Sequence, residues 1–182
     1  MNESIEANIG CKVRIYPTEK QQKLIYKNIH ASRKAYNFAV DESLTQYGVW
    51  KNVKNERIQQ LKEQDLTAEQ IKKEMELFNK KNKKDYVNLT GLYKKFNENC
   101  KEENSVTAWC LEADASMKAA TFQKFDKAYS RFQKEMKNGT STKRVEERIK
   151  KDKENHVERI YEYPYDYGHP KFKKYSKATS YI

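Results

Sequence analysis

Cysteine is scarce in this chain, and the way it is placed excludes more than the number does. The residues are Cys11, Cys100 and Cys110, an odd count with no CxxC pair. That pattern argues against a disulfide framework and against a zinc site within the chain, and it fits a reduced, cytoplasmic setting. Long apolar runs are also missing. None approaches the roughly 18 residues that crossing a bilayer requires. The first ten residues lack the hydrophobic stretch of a secretory leader. Apolar side chains are few overall, 37% of residues at a mean hydropathy of -1.12. A compact globule of 182 residues would usually bring more of them to its core. The expectation is therefore long, thinly packed helices whose outer faces stay wet.

Aromatic and basic residues are what the chain does have. Thirteen Tyr, seven Phe and two Trp make up 12% of it, whereas disordered chains are typically poor in aromatics. Lys and Arg outnumber Asp and Glu by 37 to 26, a formal charge of +11 with a pI near 9.4. Such an excess draws the chain to a polyanion, because binding releases the polyanion's condensed counterions. A lysine-rich surface also serves solubility, but aromatics interleaved with the lysines favour nucleic acid as partner. No membrane partner is expected.

Along the chain, ten residues of flexible lead precede Cys11, Val13 and Ile15, which alternate with Lys12, Arg14 and Tyr16. Period-two alternation reads as a strand with one buried face, closed by Pro17. Thr18 to Gln21 forms a capping box that opens a helix. Ile25, Ile29, Tyr36, Val40 and Leu44 come next on one side of it, and Gly48 offers a stop. His30 sits beside that stripe and reads as structural. Two charged helices are expected from Lys51 to Lys84, with a break near Asp65 and a second capping box at Thr67 to Gln70. The cluster Lys80, Lys81, Lys83 and Lys84 suits either a solvated helix end or a phosphate contact. A short helix is expected from Thr90 to Asn97.

The clearest pattern is Phe122, Phe125, Tyr129, Phe132 and Met136, at spacings of three and four. It reads as a core stripe packing against the first helix rather than a stacking platform, with Trp109 and Leu111 as an upstream anchor and Asn138-Gly139 as the stop. Residues 143–159 alternate in charge sign, the mark of an exposed helix or helical hairpin. A tyrosine-rich linker with Pro164 and Gly168 comes after it. The chain closes with Lys171, Lys173, Lys174 and Lys177 around Phe172 and Tyr175, then a β-prone end.

Three segments, in this order, resemble the N-terminal region of the TnpB transposon proteins and the related compact type V CRISPR effectors. The first is Lys12-Val13-Arg14-Ile15-Tyr16-Pro17 with Gln21-Gln22 and then Arg33, Tyr36, Asn37 and Ala39. The second is Trp109-Cys110-Leu111 with Ala128 to Phe132. The third is Gly168-His169-Pro170-Lys171-Phe172-Lys173-Lys174, close to that family's Gly-x-Pro-x-Phe-Lys signature. Residues 51–85 and 140–166 depart from the compact pattern and look like insertions.

The resemblance implies a mainly α chain: a helical recognition lobe inserted into a small, incomplete β-barrel, the wedge. On that reading residues 1–10 are a lead, 11–17 the first wedge strand and 18–142 the recognition lobe. Residues 143–166 are then a charged helical insertion and linker, and 167–182 the returning basic wedge segment. The implied activity is that of the binding portion of an RNA-guided DNA endonuclease, with guide RNA and target DNA as partners. A C-terminal nuclease portion or a second copy of the chain would be a further partner. The RuvC-like cutting domain, with its divalent metal such as Mg, begins in that family after the region where this chain ends. No catalytic residue, metal ligand or cofactor is therefore expected here. The candidate nucleic-acid contacts are Lys12, Arg14, Tyr16, Arg33, Tyr36, Asn37, Lys171, Phe172, Lys173, Lys174 and Lys177. A different reading is a helix-turn-helix DNA-binding protein acting without RNA, a transposase subunit or repressor. Its two short helices at a sharp turn sit poorly with a first helix of about thirty residues by the helical pattern.

Overall fold

A computed structural model describes residues 14–64, 66–81 and 89–174. The described residues form five helices: α1 (Glu19–Glu63), α2 (Ala68–Lys81), α3 (Leu89–Lys101), α4 (Ala115–Lys137) and α5 (Thr140–Glu154). A 3-10 turn at Ala108–Glu112 joins α3 to α4, and an irregular segment, 155–174, runs back over the helices.

The expected β-barrel is absent among the described residues. Among the described residues there is no strand: 14–17 and 171–174 carry no ladder at all. Period-two alternation creates an amphipathic ribbon, but a strand also needs a neighbour for its N–H and C=O groups. The third of the three segments finds its neighbour on a helix instead. Residues 11–13 and 175–182, the remainder of the two expected wedge segments, lie outside the described residues.

Helix α1 opens as the capping box predicts: the Thr18 hydroxyl accepts from Gln21 N–H, and the Gln21 side chain accepts from Thr18 N–H at 2.8 Å. It does not stop at Gly48. Forty-five residues run unbroken to Glu63, a rod of about 68 Å at 1.5 Å per residue. A glycine ends a helix by adopting positive φ, and Gly48 stays helical; only Gly139 (φ 72°) and Gly168 (φ 99°) among the described glycines take that conformation. The break falls instead around residues 64–67, and the Thr67 box opens α2, with Thr67 N–H donating to Gln70 Oε1 at 2.9 Å.

The core lies where α1, α3 and α4 meet. Ala31, Ala35 and Ala39 recur every four residues on α1 and are fully buried, which lets the neighbouring backbones approach closely. The space is filled by Phe122 and Phe125 of α4 and by Leu92, Phe96 and Cys100 of α3. Rings meet edge-on at 5.8 Å for Tyr36–Phe125 and 5.7 Å for Phe96–Phe122, the geometry aromatic quadrupoles prefer. The stripe expected to pack on the first helix does so, although Tyr129 and Met136 are only partly covered. The 3-10 turn is anchored by Cys110 and Ala113, while Leu111 stays exposed. Lys118 is 4% exposed, with its Nζ donating to the Cys110 carbonyl at 2.9 Å. Asp114 caps α4 by accepting from Met117 N–H at 3.0 Å and ties it to α1, its own N–H donating to Asn28 Oδ1 at 2.8 Å.

The segment from Tyr161 onward acts as a strap. Arg148 of α5 donates to the Asp166 carbonyl at 2.6 Å and lies over the Tyr161 ring. The strap then buries Pro164, His169 and Pro170 against α1 and α4.

Candidate nucleic-acid interface

Arg33, Tyr36 and Asn37 occupy one turn of α1, three and four residues apart, so their side chains share a face. The end of the strap comes to this face. Asn37 holds it by both ends of its carboxamide: Lys173 N–H donates to Oδ1 at 2.6 Å, and Nδ2 donates to the Lys173 carbonyl at 3.1 Å. The amide side chain thus plays the part of a missing β-neighbour for a single residue. Lys173 then folds its ammonium over the Tyr36 ring at 4.9 Å, a favourable cation–π arrangement.

Tyr36 is 7% exposed and wedged between Phe125 and Lys173. Burial raises its phenol pKa above the ordinary value. Beside this clamp lies a cavity of about 490 Å³, lined by Arg33, Lys34, Asn37 and Phe38 of α1 and by Phe172 and Lys173 of the strap, among others. Phe172 is 45% exposed, while Lys34, Lys171 and Lys174 are exposed around it. Asp41 is the one acidic group among the described residues of the lining. Several cations and an accessible ring therefore share a small concave surface. Guanidinium and ammonium groups suit phosphate, and the ring suits a base or sugar face.

Of the residues singled out by sequence, the structure brings together Arg33, Tyr36, Asn37, Lys171, Phe172, Lys173 and Lys174. It leaves Arg14 and Tyr16 exposed at the other end of α1. Helical rise alone puts about 28 Å between Thr18 and Asn37, so the Lys173 clamp is built on α1 and not on the Arg14 segment. Lys12 and Lys177 lie outside the described residues.

Sequence reasoning missed the lock behind the clamp. His169 is 3% exposed, its ring edge-on to Tyr129 and Phe132. Its Nδ1 lies 2.9 Å from the Pro170 carbonyl and its Nε2 lies 3.1 Å from Ser43 Oγ in α1. The carbonyl can only accept, so the neutral ring carries its proton on Nδ1 and leaves Nε2 as an acceptor facing the Ser43 hydroxyl. That hydroxyl has one proton and two acceptors in reach, Nε2 and the Val40 carbonyl, to which it donates at 2.7 Å. Burial pushes the His169 pKa below 6.5, partly opposed by the bond to Pro170. Nothing periodic announces Ser43 or His169; only the Gly168-His169-Pro170 run draws the eye.

The described residues offer no evident chemical centre. Among them no three His, Cys, Asp or Glu side chains are grouped to hold a metal ion. The Cys110 thiol is pushed up to about 11 by burial, with Cys100 adding to the effect, which leaves it protonated and a poor nucleophile. No described helix is long and apolar enough to cross a membrane.

Residues 7–51 match a family model described as a helix-turn-helix domain, that of the OrfB proteins of IS605. The match supports an IS605 OrfB-type, TnpB-type N-terminal region, linked to DNA binding and transposition. It spans Arg14, Tyr16 and the whole Arg33–Asn37 turn. No curated protein and no solved structure matches the chain. From Glu19 on, the matched residues form one continuous helix, without the turn that the family model's description names.

Proposed function

We propose that this chain is the nucleic-acid-binding portion of an OrfB-type, RNA-guided DNA endonuclease. Its α1–strap groove grips guide-RNA or flanking-duplex backbone, while its helical body serves as the recognition lobe. One observation carries the reading. The turn of α1 that falls within the OrfB-type match is the turn where the strap delivers Phe172 and Lys173 beside Arg33 and Lys34. In RNA-guided systems base pairing reads the sequence, and protein contributes charge and shape to hold the backbone. A shallow basic groove with a ring at its lip suits that task.

Sequencing the RNA that co-purifies with the chain tests this. A discrete, structured RNA species is the expected result; a random sample of cellular RNA overturns the RNA-guided part. The description of the matching family favours a second reading, a DNA-binding transposase component that works without RNA. Specific, salt-resistant binding of a defined duplex by RNA-free protein would decide for it. The unbroken α1 weighs against it, because helix-turn-helix readout inserts a short second helix after a tight turn.

A further inference from the structure

Where the strap passes Tyr163, Pro164 and His169, a second cavity of about 830 Å³ is lined by α1, α2, α4 and the strap. Its walls are mostly aromatic. Tyr47 and Trp50 of α1 have ring centres 5.9 Å apart, Tyr129 and Phe132 of α4 face them at 6.0 Å from one another, and Tyr163 of the strap sits 5.0 Å from Tyr47. The rim is polar: α2 contributes Glu76, Asn79 and Lys80, all exposed, and α4 contributes Gln133. Lys54 holds its ammonium 4.9 Å above the Trp50 ring.

We propose that this cavity takes an unpaired nucleobase of a single-stranded nucleic acid, stacked among the rings, with its phosphate at Lys80 and Lys54. The inference rests on the nucleic-acid-binding reading above and extends it to a second site. Flat rings in place of branched aliphatics suit a flat guest, and every base has a π-face to offer. Asn79 and Gln133 each present a donor and an acceptor at the mouth, the equipment for a base edge. Glu76 can only accept while ionised, so it favours bases bearing an exocyclic amino group, cytosine, adenine and guanine, over uracil and thymine. The size falls within the range of pockets that enclose small-molecule ligands. The chain's charge of +11 supplies attraction for the strand that carries the base.

The test titrates the whole chain at fixed salt with cytosine octamers, DNA and RNA, and with an octamer of abasic sites carrying the same charge. Trp50 emission is the reporter, and Trp50→Phe identifies its share against Trp109. The expected result is quenching of Trp50 and about five- to a hundredfold tighter binding of the cytosine octamers than of the abasic strand. Gln133→Ala, at an exposed position that leaves the core intact, should shrink that ratio, whereas Lys80→Glu, equally exposed, should weaken binding of both strands. Equal affinity for cytosine and abasic strands, or unchanged Trp50 emission, overturns the base pocket while leaving the polyanion reading standing. Binding of neither strand overturns both. Preference for RNA over DNA, or the reverse, identifies which strand supplies the base.

Discussion

Asn37 and His169 are the two side chains on which the strap's position depends most directly, and both act through hydrogen bonds whose partners lie more than a hundred residues away. Asn37→Ala removes both bonds to Lys173 and leaves its peptide to water. At about 0.5–1.5 kcal/mol per bond, the strap end should loosen by about 1–3 kcal/mol. Hydrogen exchange should quicken at residues 171–174 while the α4 amides stay protected. Equal protection in the variant would show that the clamp is dispensable. His169 makes a pH-dependent contribution. Its folded pKa is depressed by burial, so the unfolded chain binds the proton more readily, and stability rises with pH across the window just below 6.5. Acid should therefore weaken the protein as pH falls through 6.5 toward the folded value. The neighbouring Glu135 carboxyl is held below its usual range, chiefly by its bond to Arg131, and so stays ionised through this window. His169→Gln should flatten that part of the curve, as read by denaturant midpoints between pH 5 and 7; an unaltered slope would assign the effect elsewhere.

At the level of the helix, the two glycines at punctuation positions have opposite characters. Gly48 is helical, and an added Cβ would meet nothing within 4 Å. Gly48→Ala should stabilise by about 0.5–1 kcal/mol, raising Tm by about 1–4 °C for a domain of this size. Gly139 also has open space around it but sits at φ 72°, so Gly139→Ala should destabilise despite fitting. Thermal melts of the two variants moving in the same direction would contradict this. Both glycines look alike in the sequence, as stops after a helical stripe. Tertiary surroundings separate them: on either side of Gly48, Tyr47 packs on Tyr163 of the strap, and Tyr47 and Trp50 line one cavity together with α2. Local signals are more telling where they are self-contained. The Thr18 and Thr67 boxes and the break between α1 and α2 depend on neighbours a few residues away, and they are legible. The alanines of α1 are not, because a stripe is usually read from its large side chains, and here the small ones define the contact. The strap reads as a linker because it has no period, and the wedge strands rest on alternation and resemblance without a partner to pair with. Of the candidate interface, the residues can be named from sequence, but their union through Asn37 and Lys173 cannot.

For the molecule as a whole, charge governs behaviour. If the α1–strap groove contacts phosphates, the logarithm of affinity should fall linearly with the logarithm of salt. Replacing Lys171, Lys173 and Lys174 by Gln should reduce that slope by up to about 0.7–0.9 for each phosphate that these lysines had neutralised. An unchanged slope would place the contacts elsewhere on the basic surface. Such a measurement needs a protein known to be folded at every salt concentration, and the structure carries its own means of checking. Lys118 is a primary amine sealed beneath the 3-10 turn, amid many lysines that face water. An acylating reagent should tag those within seconds yet spare this one until the core opens. Its appearance in a tryptic mass spectrum would then time global opening from inside the native protein, with no probe added.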